Sequence, residues 1–349
     1  MSVGFGIIGT GMMGGTYAEA LRTQVTSGRL IAVAGGFRAE ALGAEYGVPV
    51  DATTDALLER RDIDIVVIAT PHTTHLPLAV AALEAGKHVY LEKPMALSVD
   101  ECDTILAAAD RAGLTVTVAS QARYNEISMR AKALVDDGTI GAIRMFRVTS
   151  PTVGWDVPAD GWFVDPREGG AYLDWGPHGC DTLRWFTGSD GASCFALMDN
   201  YGGIPAVDPS AMVSYRMRSG AMAQFWMSYE IPAPGLGSYM QWLAVGENGM
   251  LDFDRDTLRV TQGGEWRTEL ALEPWDWAVD PRAPRRIGLT ARQVEETAAA
   301  ISSGSSPSIT GADGRAAIEM VEAALVSATS GDAVAIPREA SRRSPLPAR

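Results

Sequence analysis

The sequence has few of the residues that build disulfide frameworks or zinc sites, and it has no long apolar run. Its 349 residues include only three cysteines, Cys102, Cys180 and Cys194. Their odd number and wide spacing favour reduced thiols and do not match the spacing of zinc ligands. No apolar run approaches the ~18 residues of a membrane span, and the N-terminus lacks the features of a signal peptide. We therefore expect a cytoplasmic protein with no metal centre and no membrane partner.

Basic residues are also scarce relative to acidic ones. Lys and Arg total 29, whereas Asp and Glu total 43, so the formal net charge at pH 7 is −14. A surface this acidic repels phosphate backbones, which argues against nucleic-acid binding. An anionic ligand must then be held by a local arrangement of donors. The 46% of hydrophobic residues is ordinary for a globular chain, and the length favours two domains.

The first part of the chain alternates short apolar runs with helical segments. Five runs predict strands: 3–9, 30–34, 63–69, 88–91 and 116–119. Continuous apolar strands joined by helices are typical of a parallel sheet that is covered on both faces. We therefore predict an α/β, doubly wound Rossmann domain over residues 1–122.

The pattern then changes to strands with period-2 alternation. The expected strands are 143–149, 194–198, 211–216, 222–229 and 240–245, and the expected helices are 127–136, 290–302 and 314–329. We predict an α+β domain over residues 123–337 with a large, mostly antiparallel open sheet, and a flexible tail over 338–349. An open sheet leaves one face uncovered, which predicts a homodimer or homotetramer formed through this domain.

The string Gly9-Thr10-Gly11-Met12-Met13-Gly14 fits G-x-G-x-x-G and lies between the first strand and the first helix. In this context the pattern indicates dinucleotide binding. We expect Gly9 to make the tight turn, Gly11 to let the backbone approach a pyrophosphate, and Gly14 to allow close helix packing. The helix N-terminus supplies N–H donors for the phosphates. A purely structural glycine turn is the alternative.

The end of the second strand bears on the choice between NAD and NADP. An acid there accepts hydrogen bonds from the 2′-hydroxyl of NAD, but this chain has Gly35-Gly36 at that point. Arg38 is placed to bind the 2′-phosphate of NADP, which favours NADP. Alternatively, Arg38 is a solvated charge at the start of the next helix.

Polar turns follow the third and fourth predicted strands, at the edge where open α/β sheets bind ligands. In the turn at 70–75 we expect Thr70, Pro71 and His75 to face the cofactor, although His72 and His75 are equally explained as a surface residue and a helix-start residue. In Glu92-Lys93-Pro94, the Lys93 ammonium can orient a reacting hydroxyl and stabilise charge on its oxygen. A surface lysine in a turn is the alternative.

A single histidine, His178, lies after residue 88. Pro177 predicts that it lies near the start of a helix, and Asp174, four residues earlier, can turn toward its imidazole. A neighbouring carboxylate orients a histidine and favours its protonated form, which suits a proton acceptor near neutral pH. A structural His–Asp cap is equally consistent with the spacing.

These motifs together resemble the glucose–fructose oxidoreductase / inositol dehydrogenase / MocA-like (Gfo/Idh/MocA) family. The resemblance rests on residues 9–14, 70–75, 92–94 and 169–181 and extends to the helix-then-strand ending at 311–337. It implies a catalytic group of Lys93, Asp174 and His178. It implies dinucleotide contacts by Gly9, Gly11, Met12, Thr70, Glu92, Lys93 and Gln121. The glycine pair after the second strand departs from the acid of NAD-preferring members, which leaves the cofactor open between NAD and NADP.

The implied reaction is reversible hydride transfer between a nicotinamide and a secondary hydroxyl or keto group of a sugar, sugar derivative or cyclitol. Besides the catalytic group, we expect Arg123, Tyr124 and Trp162 to contact this substrate. Weaker candidates are Asp165, Arg167, Trp155, Trp275 and Trp277. Two other functions stay open: a glycoside hydrolase or lyase that oxidises its sugar transiently with tightly bound NAD, and a non-catalytic dinucleotide sensor.

Overall fold

The chain forms two compact units, one of which is discontinuous in sequence. A computed structural model describes residues 2–153, 161–202, 204–236, 240–275 and 280–337. The first unit contains residues 1–124 and 275–315, and the second contains 125–274 and 316–349, as far as these are described. The predicted tail over 338–349 and the candidates Trp155 and Trp277 lie outside the described residues.

The first unit is built on a parallel sheet. Its strands are β1 (Val3–Ile8), β2 (Gly28–Ala34), β3 (Val50–Asp51), β4 (Ile65–Ile68), β5 (His88–Leu91) and β6 (Val116–Val118). Its helices are α1 (Met12–Thr23), α2 (Ala39–Tyr46), α3 (Thr54–Leu58), α4 (His75–Glu84), α5 (Val99–Ala112) and α8 (Pro284–Ser303). The strand order β3-β2-β1-β4-β5-β6 confirms the doubly wound Rossmann fold. The two-residue strand β3 was not predicted.

The core of this unit explains why residues 275–315 belong to it. Strand β1 is buried along its whole length, and α1 packs on it. Helix α8 adds one apolar face to the same core: Ile287, Ala291, Val294 and Ala298. These four residues recur at helical spacing, so a single stripe of α8 is buried.

The second unit carries a mostly antiparallel sheet, as predicted. Its strands are β7 (Ile143–Val153), β8 (Gly191–Asp199), β9 (Ser210–Met217), β10 (Met222–Ile231), β11 (Gln241–Gly246), β12 (Met250–Asp254), β13 (Thr257–Thr261), β14 (Arg267–Ala271) and β15 (Val334–Ala335). Its helices are α6 (Glu126–Asp136), α7 (Gly170–Thr187) and the part of α9 (Gly311–Ser330) from residue 316 onward. The strand order is β14-β13-β12-β11-β7-β10-β9-β8-β15, and among its described strands β7 and β10 pair in parallel while the other neighbours are antiparallel. Strands β12 to β14 were not predicted, whereas β15 lies within the helix-then-strand ending at 311–337 that the family resemblance implies.

Period-2 alternation determines which face of this sheet is covered. In β9, Val213 and Tyr215 are buried, whereas Met212 and Arg216 are exposed. The buried side chains lie on the face that packs against α7. On the opposite face, Met212, Ser214 and Arg216 of β9 are exposed to solvent.

No helix within the described ranges is long and apolar enough to cross a membrane.

Glu295 joins α8 to the turn between α1 and β2. Its carboxylate accepts hydrogen bonds from the backbone N–H of Thr26 at 2.7 Å and of Ser27 at 3.0 Å. The hydroxyls of Thr26 and Ser27 also donate, at 2.8 and 2.6 Å. Burial raises the pKa of Glu295, but these hydrogen bonds outweigh that effect and lower the pKa to about 2.

Replacing this carboxylate is expected to lower the free energy of unfolding by an amount that depends on pH. At pH 7, Glu295→Ala should lower the free energy of unfolding by about 1 kcal/mol, after allowance for solvent screening of a partly exposed group. Because the folded pKa is depressed, the contribution is complete above the ordinary value of 4.5 and is lost as the pH falls toward 2. Urea unfolding of wild type and variant between pH 7 and pH 3 measures this difference.

The control is Glu84→Ala, at an exposed carboxylate in the last turn of α4. It should change the unfolding free energy by less than about 0.5 kcal/mol. A constant gap between wild type and Glu295→Ala across the pH range contradicts the prediction.

Candidate active site

The glycine turn after β1 is shaped by close backbone contacts. Gly9 has φ +96°, and a Cβ there would lie 2.2 Å from the carbonyl oxygen of Ala69. A Cβ at Gly14 would lie 2.0 Å from the carbonyl oxygen of Gly9, so helix and strand approach as closely as predicted. Gly11 has open space where its Cβ would be. The turn is therefore tight at both ends and open in the middle.

The residues at this turn fit a pyrophosphate. Helix α1 starts at Met12 with Gly11 as its N-cap, and no side chain caps its free N–H groups. Its first turn carries no acidic residue, so the positive end of the helix dipole is not neutralised locally. Met12 is exposed and Met13 is half-buried against the core. Donors arranged in this way are suited to an anionic group even in a chain with this much negative charge.

The glycine pair after β2 packs against the same turn. The Thr10 hydroxyl donates to the carbonyl of Gly35 at 2.8 Å, and a Cβ at Gly36 would lie 2.6 Å from that hydroxyl oxygen. Both glycines have positive φ, +72° and +87°, which residues other than glycine adopt much less often. Arg38 follows at the start of α2, where it is solvent-exposed. Within the described part of the chain, its guanidinium makes no hydrogen bond or ion pair.

His75 links the turns that follow β4 and β5. Its ring is fully buried, with Nδ1 2.7 Å from the carbonyl oxygen of Pro94 and Nε2 3.0 Å from that of Thr70. Burial and then the neighbouring His72 lower the pKa of His75 to about 4, so the ring is neutral at pH 7. His72 is also buried, and Thr70 and Pro71 are half-buried. The direct cofactor contact of His75 stays a prediction, whereas its position between two turns is plain.

Glu92 is the centre of a buried hydrogen-bond network beside Lys93. The Tyr17 hydroxyl donates to Glu92 Oε1 at 2.6 Å, and Gln121 Nε2 donates to the same oxygen at 3.3 Å. The backbone N–H of Lys93 donates to Glu92 Oε2 at 3.1 Å. Burial and then the Glu92 charge hold the pKa of Tyr17 well above its ordinary value, so its hydroxyl stays a donor. The network fixes the backbone from which the half-buried Lys93 side chain extends.

The polar candidates after β6 contact residues of 275–315. Arg123 and Tyr124 lie on the 3-10 helix Gln121–Tyr124. The Arg123 guanidinium is 3.5 Å from Asp313 Oδ1, and the Tyr124 hydroxyl donates to Glu296. Their predicted contacts with a substrate stay predictions.

Helix α7 begins earlier than predicted. The prediction that Pro177 lies in the first turn is wrong, because the helix starts at Gly170 and contains Pro177 in its interior. Proline has no N–H to donate to the carbonyl of Leu173, and its ring crowds the preceding turn. Burial along nearly the whole helix offsets this cost. The Ala171 N–H donates to the Val207 carbonyl at 2.8 Å, and this hydrogen bond holds the start of the helix.

The earlier start places Asp174 and His178 on one helix, one turn apart. Residues at this separation lie on the same face. Asp174 is 6% exposed and His178 is half-buried. The Trp175 ring packs edge-on against the His178 imidazole with centroids 4.9 Å apart. The helix therefore carries an imidazole and a buried carboxylate on the same face, one turn apart.

Side chains from neighbouring strands hold this part of α7. The Tyr229 hydroxyl of β10 donates to Asp174 Oδ2 at 3.3 Å. The Trp175 indole N–H donates to the Ser150 hydroxyl of β7 at 2.6 Å. The Tyr229 ring packs edge-on against Trp175 and Phe163.

The remaining aromatic and charged candidates, three before α7 and one after it, differ in exposure and in their contacts. Trp162 is 47% exposed on a short 3-10 helix. Asp165 and Arg167 form an ion pair with each other at 2.5 Å. Trp275 is half-buried in the first unit.

The three thiols are free and buried. Burial raises the pKa of Cys180 and of Cys194 to about 12, so both stay protonated. Among the described residues, no group of three or more His, Cys, Asp or Glu side chains is arranged to hold a metal ion.

Tyr17 and Tyr229, whose hydroxyls donate to the buried carboxylates of Glu92 and Asp174, were not predicted from the sequence. Tyr17 lies 75 residues from Glu92 in sequence, and Tyr229 lies 55 residues from Asp174. The only local signal is a polar-tipped aromatic on an otherwise buried helix or strand.

Comparison with known proteins matches both halves of the chain to one family. Residues 3–120 match a model described as an oxidoreductase family with an NAD-binding Rossmann fold. Residues 128–252 match the GFO/IDH/MocA C-terminal domain.

Individual relatives agree with these matches. An inositol 2-dehydrogenase of Rhizobium meliloti (strain 1021) is 32% identical over 64% of this chain and 68% of its own length. A 1,5-anhydro-D-fructose reductase of Ensifer adhaerens is 26% identical over 86% of this chain and 88% of its own. The crystal structure of an oxidoreductase domain protein from Kribbella flavida has a TM-score of 0.84 at 27% identity, and the match covers 97% of this chain and all of that one. The chain therefore belongs to the Gfo/Idh/MocA family of oxidoreductases.

Proposed function

We propose that the protein is an NAD(P)-dependent dehydrogenase or reductase that acts on a secondary hydroxyl or keto group of a sugar, sugar derivative or cyclitol. The observation that carries the proposal is the pair on α7, a half-buried imidazole one helical turn from a buried carboxylate. The names of the relatives support the substrate class, since one acts on inositol and another on an anhydro sugar.

Each catalytic side chain has one task in this proposal. In the oxidative direction, His178 accepts the proton of the substrate hydroxyl, and Asp174 stabilises the imidazolium that forms. The Lys93 ammonium donates a hydrogen bond to the same substrate oxygen and stabilises its developing negative charge. A bound nicotinamide supplies the hydride acceptor at C4.

The dinucleotide is assigned to the carboxyl edge of the first sheet. Its pyrophosphate is assigned to the free N–H groups at the start of α1, within residues 9–14. Further contacts are assigned to Thr70, Pro71, His75, Glu92 and Gln121. The buried Tyr17–Glu92 bond supports this part of the proposal, because it keeps the turn before Lys93 in one conformation.

Removing either polar catalytic group should lower turnover severely while leaving the dinucleotide bound. Lys93→Ala and His178→Ala are each expected to lower kcat by about 10²–10⁴-fold, since each removes proton transfer or charge stabilisation in the transition state. Absorbance at 340 nm reports turnover of inositols, pyranoses and anhydro sugars in both directions with NAD and NADP. Fluorescence of the reduced dinucleotide reports its binding to each variant.

Lys132→Ala is the matched control, because this lysine pairs with Asp136 on α6. Its kcat should equal that of the wild type. Wild-type turnover by either catalytic variant contradicts the assigned roles. A copurifying nicotinamide with product formed but no net redox change would instead favour the hydrolase or lyase. Dinucleotide binding without turnover of any polyol would favour the sensor.

We further propose that the cofactor is NADP, held at its 2′-phosphate by Arg38. The exposed guanidinium and the glycine pair that replaces an acid support this choice. NAD remains the alternative.

Arg38→Ala should therefore discriminate between the two cofactors. The variant should lose about 10–100-fold in kcat/KM with NADP, the value of a charge-assisted hydrogen bond, and change little with NAD. Arg61→Ala, at an exposed arginine before β4, serves as the control. Equal effects of Arg38→Ala on both cofactors contradict the assignment.

We also propose that the uncovered face of the second sheet binds a second copy of the chain, giving a homodimer or homotetramer. The exposed face of an antiparallel sheet is usually polar. Here five apolar side chains on it are 42–62% exposed: Met145, Phe195, Leu197, Met212 and Met222. Three of them, Met145, Phe195 and Met222, line a groove of about 580 Å³ together with Arg147 and Arg216. An exposed apolar surface of this kind is suited to self-complementary contact.

Charges on this face should separate the copies. Leu197→Asp combined with Met212→Glu is expected to shift the sedimentation coefficient to that of a 37.1 kDa monomer, because paired carboxylates would be buried in the interface. Met129→Glu, at a 48% exposed position on α6, should leave the assembly intact. A monomeric wild type at micromolar concentration contradicts the proposal.

A further inference from the structure

Asp174 is a buried carboxylate whose partner hydroxyl comes from a different element. Asp174 is 6% exposed on α7, and Tyr229 is 1% exposed on β10. The Tyr229 hydroxyl lies 3.3 Å from Asp174 Oδ2 and donates to it. A buried carboxylate depends on such donors because it has lost hydration. Strand β10 therefore supplies a hydrogen-bond donor to the Asp174 carboxylate.

The orientation of this hydroxyl is fixed by its surroundings. The backbone N–H of Tyr229 donates to the Pro209 carbonyl at 2.8 Å. Its ring meets Phe163 at 5.5 Å and Trp175 at 6.1 Å between centroids, both edge-on. Trp175 is in turn held by its hydrogen bond to Ser150. The hydroxyl therefore reaches Asp174 from one defined direction.

We infer that Tyr229 is a positioning residue for catalysis, which holds the Asp174 carboxylate in the rotamer that supports a protonated His178. The inference rests on the proposed function. A hydrogen bond to one carboxylate oxygen restricts rotation about the Cβ–Cγ bond and leaves the other oxygen with a defined direction. Side chains that orient a catalytic group in this way affect the chemical step more than binding.

Tyr229→Phe removes the hydroxyl and keeps the ring. It is expected to lower kcat about 10–100-fold, the loss for a hydrogen bond to a charged group. The dissociation constant of the dinucleotide should not change, because the first unit is untouched. The solvent deuterium isotope effect on kcat should rise, since proton transfer to a misaligned imidazole becomes more rate-limiting.

Tyr215→Phe is the matched control. Tyr215 is a buried tyrosine on the adjacent strand β9, and its hydroxyl bonds to Tyr172 of α7 at 2.9 Å and contacts Cys180 Sγ at 3.4 Å. This variant also loses a buried hydroxyl against α7, but it does not touch Asp174. Its melting temperature should fall at least as much as that of Tyr229→Phe, while its kcat should stay at the wild-type value.

A double-mutant cycle with Asp174→Asn separates positioning from general stability. If Tyr229 acts through the carboxylate, Tyr229→Phe lowers kcat in the wild-type background and has no further effect in Asp174→Asn. Equal fold-losses in both backgrounds, or wild-type kcat for Tyr229→Phe, overturn the inference. Full activity of Asp174→Asn overturns the proposed function itself, so the two failures are distinguishable.

Discussion

The carboxyl edge of the first sheet depends on one steric constraint, the contact between the turn at Gly9 and the carbonyl of Ala69. No side chain fits between them, since even a Cβ atom would approach the oxygen to 2.2 Å. This contact brings the loops after β1 and β4 together. Thr10 then reaches the glycine pair after β2, and His75 ties the loop after β4 to the loop after β5. Four consecutive turns of the edge are thus connected through short backbone and side-chain contacts.

Both units hold a buried carboxylate with a tyrosine hydroxyl. In the first unit Tyr17 donates to Glu92, next to Lys93, and in the second Tyr229 donates to Asp174, one turn before His178. In each case the tyrosine comes from an element other than the one that carries the acid. Burial makes the carboxylates dependent on these donors. Lys93 and His178 are consequently carried by backbone segments that have little freedom to move.

The features that the sequence predicted are those with local physical causes. The glycine turn, the parallel strands and the alternation of β9 follow from neighbours in the chain. The start of α7 was misjudged because the local preference of Pro177 for a first turn was overridden by tertiary packing. Tyr17 and Tyr229 were missed because their partners are distant in sequence. Periodicity predicted a helix within α8 but cannot reveal which core it joins.

The discontinuous first unit has a consequence for synthesis on the ribosome. Four apolar residues of α8 complete a core whose other members lie within the first 119 residues. A nascent chain that has emerged only as far as residue 124 therefore carries a hydrophobic surface that nothing yet covers. Cooperative closure of this unit must wait until residue 303, at the end of α8, has left the exit tunnel. Strands β7 to β14 of the second unit are thus translated before the first unit can finish folding.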